Sequence, residues 1–150
     1  KGKKKSFFKN NSALKIINIG RFTEQKDQIT ILRAINYLKK ELNFRLIIIG
    51  HGDKKQKLVN FIKKNHLSKS VKINDTITNP YGVLNQSDVF ILSSKFEGLP
   101  NVLLEAAALK KFIISTKCQS GPKEILLNGK GGLFFKAGDY KDLSNKILFS

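Results

Sequence analysis

Glu97 and Glu105 stand eight residues apart in SSKFEGLPNVLLEAAAL (93–109), and two cations, Arg21 and Lys26, follow a glycine-ended apolar run in IGRFTEQKDQ (19–28). Lys26 is expected to open a helix. A helix N-terminus already carries partial positive charge, so a cation there opposes the dipole unless an anion shares the site. Arg21 and Lys26 together therefore point to a phosphate or diphosphate, with Gly20 permitting close backbone approach. The alternative is two surface cations in a Lys-rich chain.

The acids lie on a second helix. Pro100 suits the first helical position, and at 100° per residue Val102, Leu103, Ala106 and Leu109 form the core stripe, with Leu104 and Ala107 on its flank. A helix apolar almost all round is expected to be buried, and a carboxylate within it is costly unless hydrogen-bonded or paired. Glu105 lies ~7.5 Å along the axis from Pro100, in reach of the loop carrying Glu97 and Gly98. Carboxylates that accept from hydroxyls, beside amides of the Gly98–Asn101 turn that bind anionic oxygens, would clamp a polyhydroxylated, phosphorylated ligand. The alternative is an exposed Glu105 beside small alanines, with Glu97 as an acid favoured by the dipole.

Other loops carry less. IIIGHGDKK (47–55) has Gly50 and Gly52, but Lys55 occupies the third glycine position of a dinucleotide fingerprint and no acid follows at the ribose distance, which disfavours NAD and FAD. His51 could line the cleft or be an incidental loop histidine. In QSGPKEIL (119–126), Gly121, Pro122 and Glu124 read as N-cap, N1 and N3 of a short helix, a structural role; the Gly121 loop could still touch ligand.

Around these loops, apolar runs alternate with helical patterns. Strands are expected at 14–20, 44–50, 71–74, 88–94, 112–116 and 132–135, and helices at 26–40, 54–66, 80–86, 100–109, after Gly121-Pro122, and from Asp139. Strands apolar on both faces and separated by helices indicate a parallel sheet covered on both sides, a doubly wound, Rossmann-like α/β domain over 14–150. Its ligand should lie beyond the carboxyl ends of the strands. Residues 1–13, opening on KGKKKSFFKNNS, read as a linker or frayed end.

The 150 residues suffice for one domain. The net charge of +17 invites a nucleic-acid partner, yet 25 of the 28 basic residues are Lys, dispersed along presumed helices, and base and phosphate recognition favour Arg. Bulk composition explains the charge better, followed by approach to anionic lipid headgroups. A lone Cys118 excludes an internal disulfide and suits the cytoplasm. Neither His51 nor His66 has a second ligand at metal spacing.

Taken together, GRFTEQKD (20–27), EGLPNVLLEAAA (97–108), SGPKEIL (120–126) and GKGGLFF (129–135) resemble, in order and spacing, the C-terminal donor domain of retaining GT-B glycosyltransferases, glycosyltransferase family 4 (group 1). The likeness runs from about Leu14 onward, and the acid pair Glu97/Glu105 is its most specific part. It implies that Arg21 and Lys26 contact the donor diphosphate and stabilise the charge on the leaving nucleotide. It gives Glu97, with amides at Gly98, Leu99 and Asn101, to the hydroxyls of the sugar, Glu105 to the ribose, and the Thr76–Ile77–Thr78 turn to the base. It implies no metal and no cofactor beyond the nucleoside-diphosphate sugar substrate, which the SGPKEIL form inclines toward UDP. A missing N-terminal domain would hold a glycan or lipid-linked acceptor, at the inner membrane face if the enzyme is peripheral. Without that domain, little or no transfer is expected. Two positions depart from the family: Lys110 and Phe112 stand where Gly and Pro are usual, so Lys110 should make its turn under strain. The rivals are a sugar-nucleotide epimerase or phosphorylase of the same plan, a basic module that binds nucleic acid or lipid surfaces, and a non-catalytic homologue.

Overall fold

Strands apolar on both faces need cover on both sides, and the computed structural model supplies it. It describes residue 8 and residues 12–75, 79–96, 101–117 and 132–150. In chain order these form β1 (Leu14–Ile19), α1 (Gln28–Leu38), β2 (Phe44–Ile49), α2 (Lys55–Lys64), β3 (Val71–Asn74), α3 (Tyr81–Gln86), β4 (Val89–Leu92), α4 (Asn101–Ala108), β5 (Phe112–Thr116), β6 (Gly132–Phe135) and α5 (Tyr140–Phe149). The strands make one sheet in the order β3-β2-β1-β4-β5-β6, parallel throughout. This is the expected doubly wound, Rossmann-like α/β fold. The helix expected after Gly121-Pro122 falls outside the described residues.

Alternate residues along each strand feed two cores. Ile16, Leu46, Ile48 and Ile91 face one side, where α1, α2 and α5 bring Ile31, Ile35, Leu58, Leu143 and Ile147. Ile17, Ile47, Ile49 and Phe90 face the other, where α3 and α4 bring Leu84, Leu103 and Ala106. Phe8, inside the segment expected to be a linker or frayed end, is buried in this second core. The last helix is capped by Asp139, whose carboxylate accepts from the Asp142 amide at 3.0 Å, as an N-cap acid should.

Helix α1 departs from expectation. It starts at Gln28 rather than Lys26, because Asp27 takes a left-handed conformation (φ 51°). Lys26 thus sits in the turn before the helix, not in its first turn.

The loops after β1 and β2 press together. The Gly20 amide donates to the Ile49 carbonyl at 3.0 Å, and a Cβ built on Gly50 would stand 1.9 Å from the Gly20 carbonyl oxygen. Backbone against backbone cannot yield as a flexible side chain can. Gly50→Ala should therefore destabilise the chain by about 2 kcal/mol or more, read as a lower midpoint of denaturant unfolding with an unchanged slope.

Candidate functional site

The sheet reverses direction between β1 and β4. From β1 the chain winds outward through β2 to β3; it then returns to β4 and winds the other way. Loops leaving β1 and β4 therefore diverge to opposite faces and leave a crevice beyond their carboxyl ends, where ligands of such sheets bind. The β1–α1 loop carries Gly20, Arg21 and Lys26, and the segment after β4 leads to Glu97 and on to α4.

Described parts of these two loops are knit together. The Ser93 hydroxyl donates to the Lys26 carbonyl at 2.7 Å. The Lys95 amide donates to the Gln25 carbonyl at 2.8 Å, and the Gln25 side chain returns a bond to the Phe96 carbonyl at 2.9 Å. Lys95 Nζ lies 3.0 Å from Glu24, which holds that carboxyl below its usual range. Serine and threonine hydroxyls fill the strand ends: Ser93, Ser94, Ser115 and Thr116 are all fully buried, and Thr116 donates to the Ser94 carbonyl.

The loop is also anchored at its base. Gln28, nearly fully buried, donates from its side chain to the Arg21 carbonyl at 2.9 Å. Phe22 is wholly buried; its amide donates to the His51 carbonyl at 2.8 Å, and its carbonyl accepts from the Lys54 amide at 3.0 Å. Arg21 is exposed between these two fixed points, and Lys26 is half-buried, its stem alongside Gly20. The cations expected to meet an anion thus stand at the crevice.

Helix α4 differs from its expected burial. Leu103 and Ala106 are buried and Val102, Ala107 and Leu109 pack partly, but Asn101 and Ala108 are exposed and Leu104 is 42% exposed. The helix thus buries one stripe, Leu103 and Ala106, against the sheet. Glu105 is accordingly half-exposed rather than buried. It does have a partner: the Tyr81 hydroxyl donates to Glu105 Oε1 at 2.7 Å. Helical spacing could not reveal this pair, which lies on two different helices.

Several expected site residues, Thr76, Ile77, Glu97, Gly98, Leu99 and Gly121, lie outside the described residues. Of the rest, Gly20, Arg21 and Lys26 share one loop, and Asn101 and Glu105 share α4. Tyr81, Gln28 and Lys95 are not marked by sequence pattern: Tyr81 and Lys95 act on distant segments, and Gln28 bonds back onto its own loop by a side chain that no spacing rule singles out. Among the described residues no group of three or more His, Cys, Asp or Glu could hold a metal ion, and no helix is long and apolar enough to cross a membrane.

A doubly wound parallel sheet whose β1–α1 loop brings two cations to the switch point defines a class of ligand-binding α/β domain. Within that class, residues 2–149 match the family model Glycosyl transferases group 1, and the chain belongs to that family. It is 44% identical over 111 residues to an uncharacterised glycosyltransferase of Methanocaldococcus jannaschii, covering 73% of this chain and 27% of that protein. It is 32% identical over 118 residues to a Campylobacter jejuni N-acetylgalactosaminyltransferase named for a diphospho-undecaprenol-linked acceptor, covering 79% of this chain and 32% of that protein. The chain thus spans about a third of the length of these relatives. Its fold matches that of a pneumococcal O-GlcNAc transferase solved with UDP and GlcNAc, with TM-score 0.85 and 18% identity over 95% of this chain and 29% of that one. The likeness to glycosyltransferase structures of GT-B type covers the whole sheet.

Two non-glycine residues in the left-handed region lie on these elements, Asp27 before α1 and Lys110 at the far end of α4. Lys110 closes α4 in the left-handed region (φ 59°), with the Lys111 amide bonded to the Ala106 carbonyl and the Lys110 amide to that of Ala107, the double bond of a Schellman cap. The expected strained turn without glycine is therefore present. Lys110→Gly should raise stability by up to about 1 kcal/mol, visible as a higher melting temperature. Asp27, 8% exposed, accepts from the Thr30 hydroxyl at 2.7 Å, but burial pushes its carboxyl pKa up from 3.8. The folded chain then holds its proton more tightly than the unfolded one. Stability should fall as pH rises from 3.8 through the raised folded value. Asp27→Asn should lessen that fall, measured by denaturant unfolding across pH 3.5 to 7.

Proposed function

We propose that this chain is the donor-binding domain of a retaining GT-B glycosyltransferase of family 4 and binds a nucleoside-diphosphate sugar, UDP-linked. One observation carries this. The β1–α1 loop with Arg21 and Lys26 is bonded to the segment after β4, so cations suited to a diphosphate stand beside the chain that leads on to Glu97 and to α4. The spacing of Glu97 and Glu105 and the family membership support it, as does the UDP in the pneumococcal structure.

In this proposal Arg21 and Lys26 neutralise the diphosphate and stabilise the charge that develops as the nucleotide leaves. Glu97 accepts from hydroxyls of the donor sugar, with amides of Gly98, Leu99 and Asn101 alongside, and Glu105 accepts from the ribose hydroxyls. Thr76 and Ile77 face the base, and Gly121 borders the site. Basic side chains do the work that a metal ion does elsewhere, so metal removal should leave binding unchanged. The complete enzyme would move the sugar to an acceptor hydroxyl with retention at the anomeric carbon. That the Campylobacter relative is named for an undecaprenol-linked acceptor favours a cell-envelope glycan, made in the cytoplasm at the inner membrane face.

Calorimetric titration with UDP, GDP and ADP tests this and picks out the tightest-binding base. UDP should bind, chelator should not weaken it, and Glu105→Ala should weaken it at least tenfold, the worth of one hydrogen bond to a charged group at about 1.4 kcal/mol. No binding of any of the three at millimolar concentration would overturn the proposal. Steeply salt-dependent binding to DNA or anionic vesicles, unmoved by Glu105→Ala, would favour a basic surface-binding module instead.

A further inference from the structure

Tyr81 begins α3, yet its hydroxyl reaches the middle of α4, where it donates to Glu105 Oε1 at 2.7 Å. That distance is the usual one for a hydroxyl donating to an oxygen. Both ends of the contact are fixed from behind. The Asn79 side chain accepts from the Tyr81 amide at 3.0 Å, setting the turn into α3. Behind the ring, α3 is pinned to the same core as α4, Leu84 being wholly buried with Leu103 and Ala106.

Stability does not account for this arrangement. Tyr81 is 47% exposed and Glu105 half-exposed, and one hydrogen bond that exchanges with water at such exposure contributes little to folding. What the bond does is orient the carboxylate. A free glutamate on a helix surface samples several rotamers, and holding it in one costs side-chain entropy that any ligand would otherwise have to overcome. With Oε1 engaged, the second oxygen is left in a defined direction for a hydroxyl of the ligand.

We propose that Tyr81 is a positioning residue for donor recognition: its hydroxyl sets the Glu105 carboxylate so that the free oxygen accepts from the vicinal diol of the nucleotide ribose. This rests on the donor-binding proposal above and adds a residue to it. Tyr81 does not touch the reacting atoms; it acts through Glu105, and so it governs the choice between ribose and a sugar lacking the diol.

The experiment is calorimetric titration of wild type, Tyr81→Phe, Glu105→Ala and the double variant with UDP and with its 2′,3′-dideoxy analogue. Tyr81→Phe should weaken UDP about fivefold to tenfold, the worth of about 1 kcal/mol, and leave the dideoxy analogue unchanged. The double variant should bind UDP no more weakly than Glu105→Ala alone, because the two act as one unit. The melting temperature of Tyr81→Phe should match wild type, which separates orientation from folding. If Glu105→Ala weakens UDP but Tyr81→Phe does not, the role of Tyr81 is overturned while the donor site stands. Equal loss of UDP and the dideoxy analogue would also overturn it, marking Tyr81 as packing only. If wild type binds UDP no better than its dideoxy analogue, the diol assignment falls. Absence of UDP binding to wild type would remove both proposals together.

Discussion

The pairing of β1 with β4, Ile16 beside Val89 and Ile17 beside Phe90, is the contact on which the rest of the molecule depends. Parallel strands cannot be joined by a tight turn, so each neighbour in the sheet implies a crossover, and crossovers on both faces bury the strands completely. Once β1 has β2 on one side and β4 on the other, the loops above them must part. The crevice is thus a topological consequence of how the chain fills the sheet. The Lys26 carbonyl and the Ser93 hydroxyl owe their contact to that junction, since 67 residues separate them along the chain.

Much of this was legible in the sequence because burial leaves a periodic trace. LKIINI and FRLIII are apolar on both faces, which only a covered parallel strand tolerates, and the glycines behind them mark where backbones meet. Gly50 is a clear case, since its missing Cβ is what lets the Gly20 carbonyl approach. Lys26 was legible as a residue but not as a position: a non-glycine residue in the left-handed region ends or delays a helix without a sequence signature, and Asp27 does so here. The solvation of α4 was misjudged for a related reason. Hydrophobicity reports what a helix could bury, whereas α4 buries only Leu103 and Ala106 and leaves Leu104 exposed. The bond from Tyr81 to Glu105 lies beyond any window of local reading. It joins two helices brought to the same side of the sheet by separate crossovers.

Charge shapes the surface more than the site. Among the described residues the ion pairs Lys54–Glu24, Lys55–Asp75 and Lys95–Glu24 link exposed side chains, and such pairs weaken with salt. The bonds that hold the two loops of the crevice to each other are mainly of another kind, hydroxyl or amide to main-chain carbonyl, and these are insensitive to ionic strength. A strongly cationic chain can therefore keep the geometry of its crevice while its outer charges are screened.

Phe22 has a consequence of its own. Its ring is sealed in the core one residue past Arg21, and both of its main-chain polar groups are committed to the loop after β2. The main chain beneath Arg21 therefore has little freedom left to lose when an anion arrives. Loops that must order themselves around a ligand forfeit affinity in conformational entropy at the moment of association; here that ordering is completed during folding, as part of closing the core. The reach of the guanidinium remains adjustable while its point of attachment does not, so one loop can accept phosphates of differing pose from a fixed pivot.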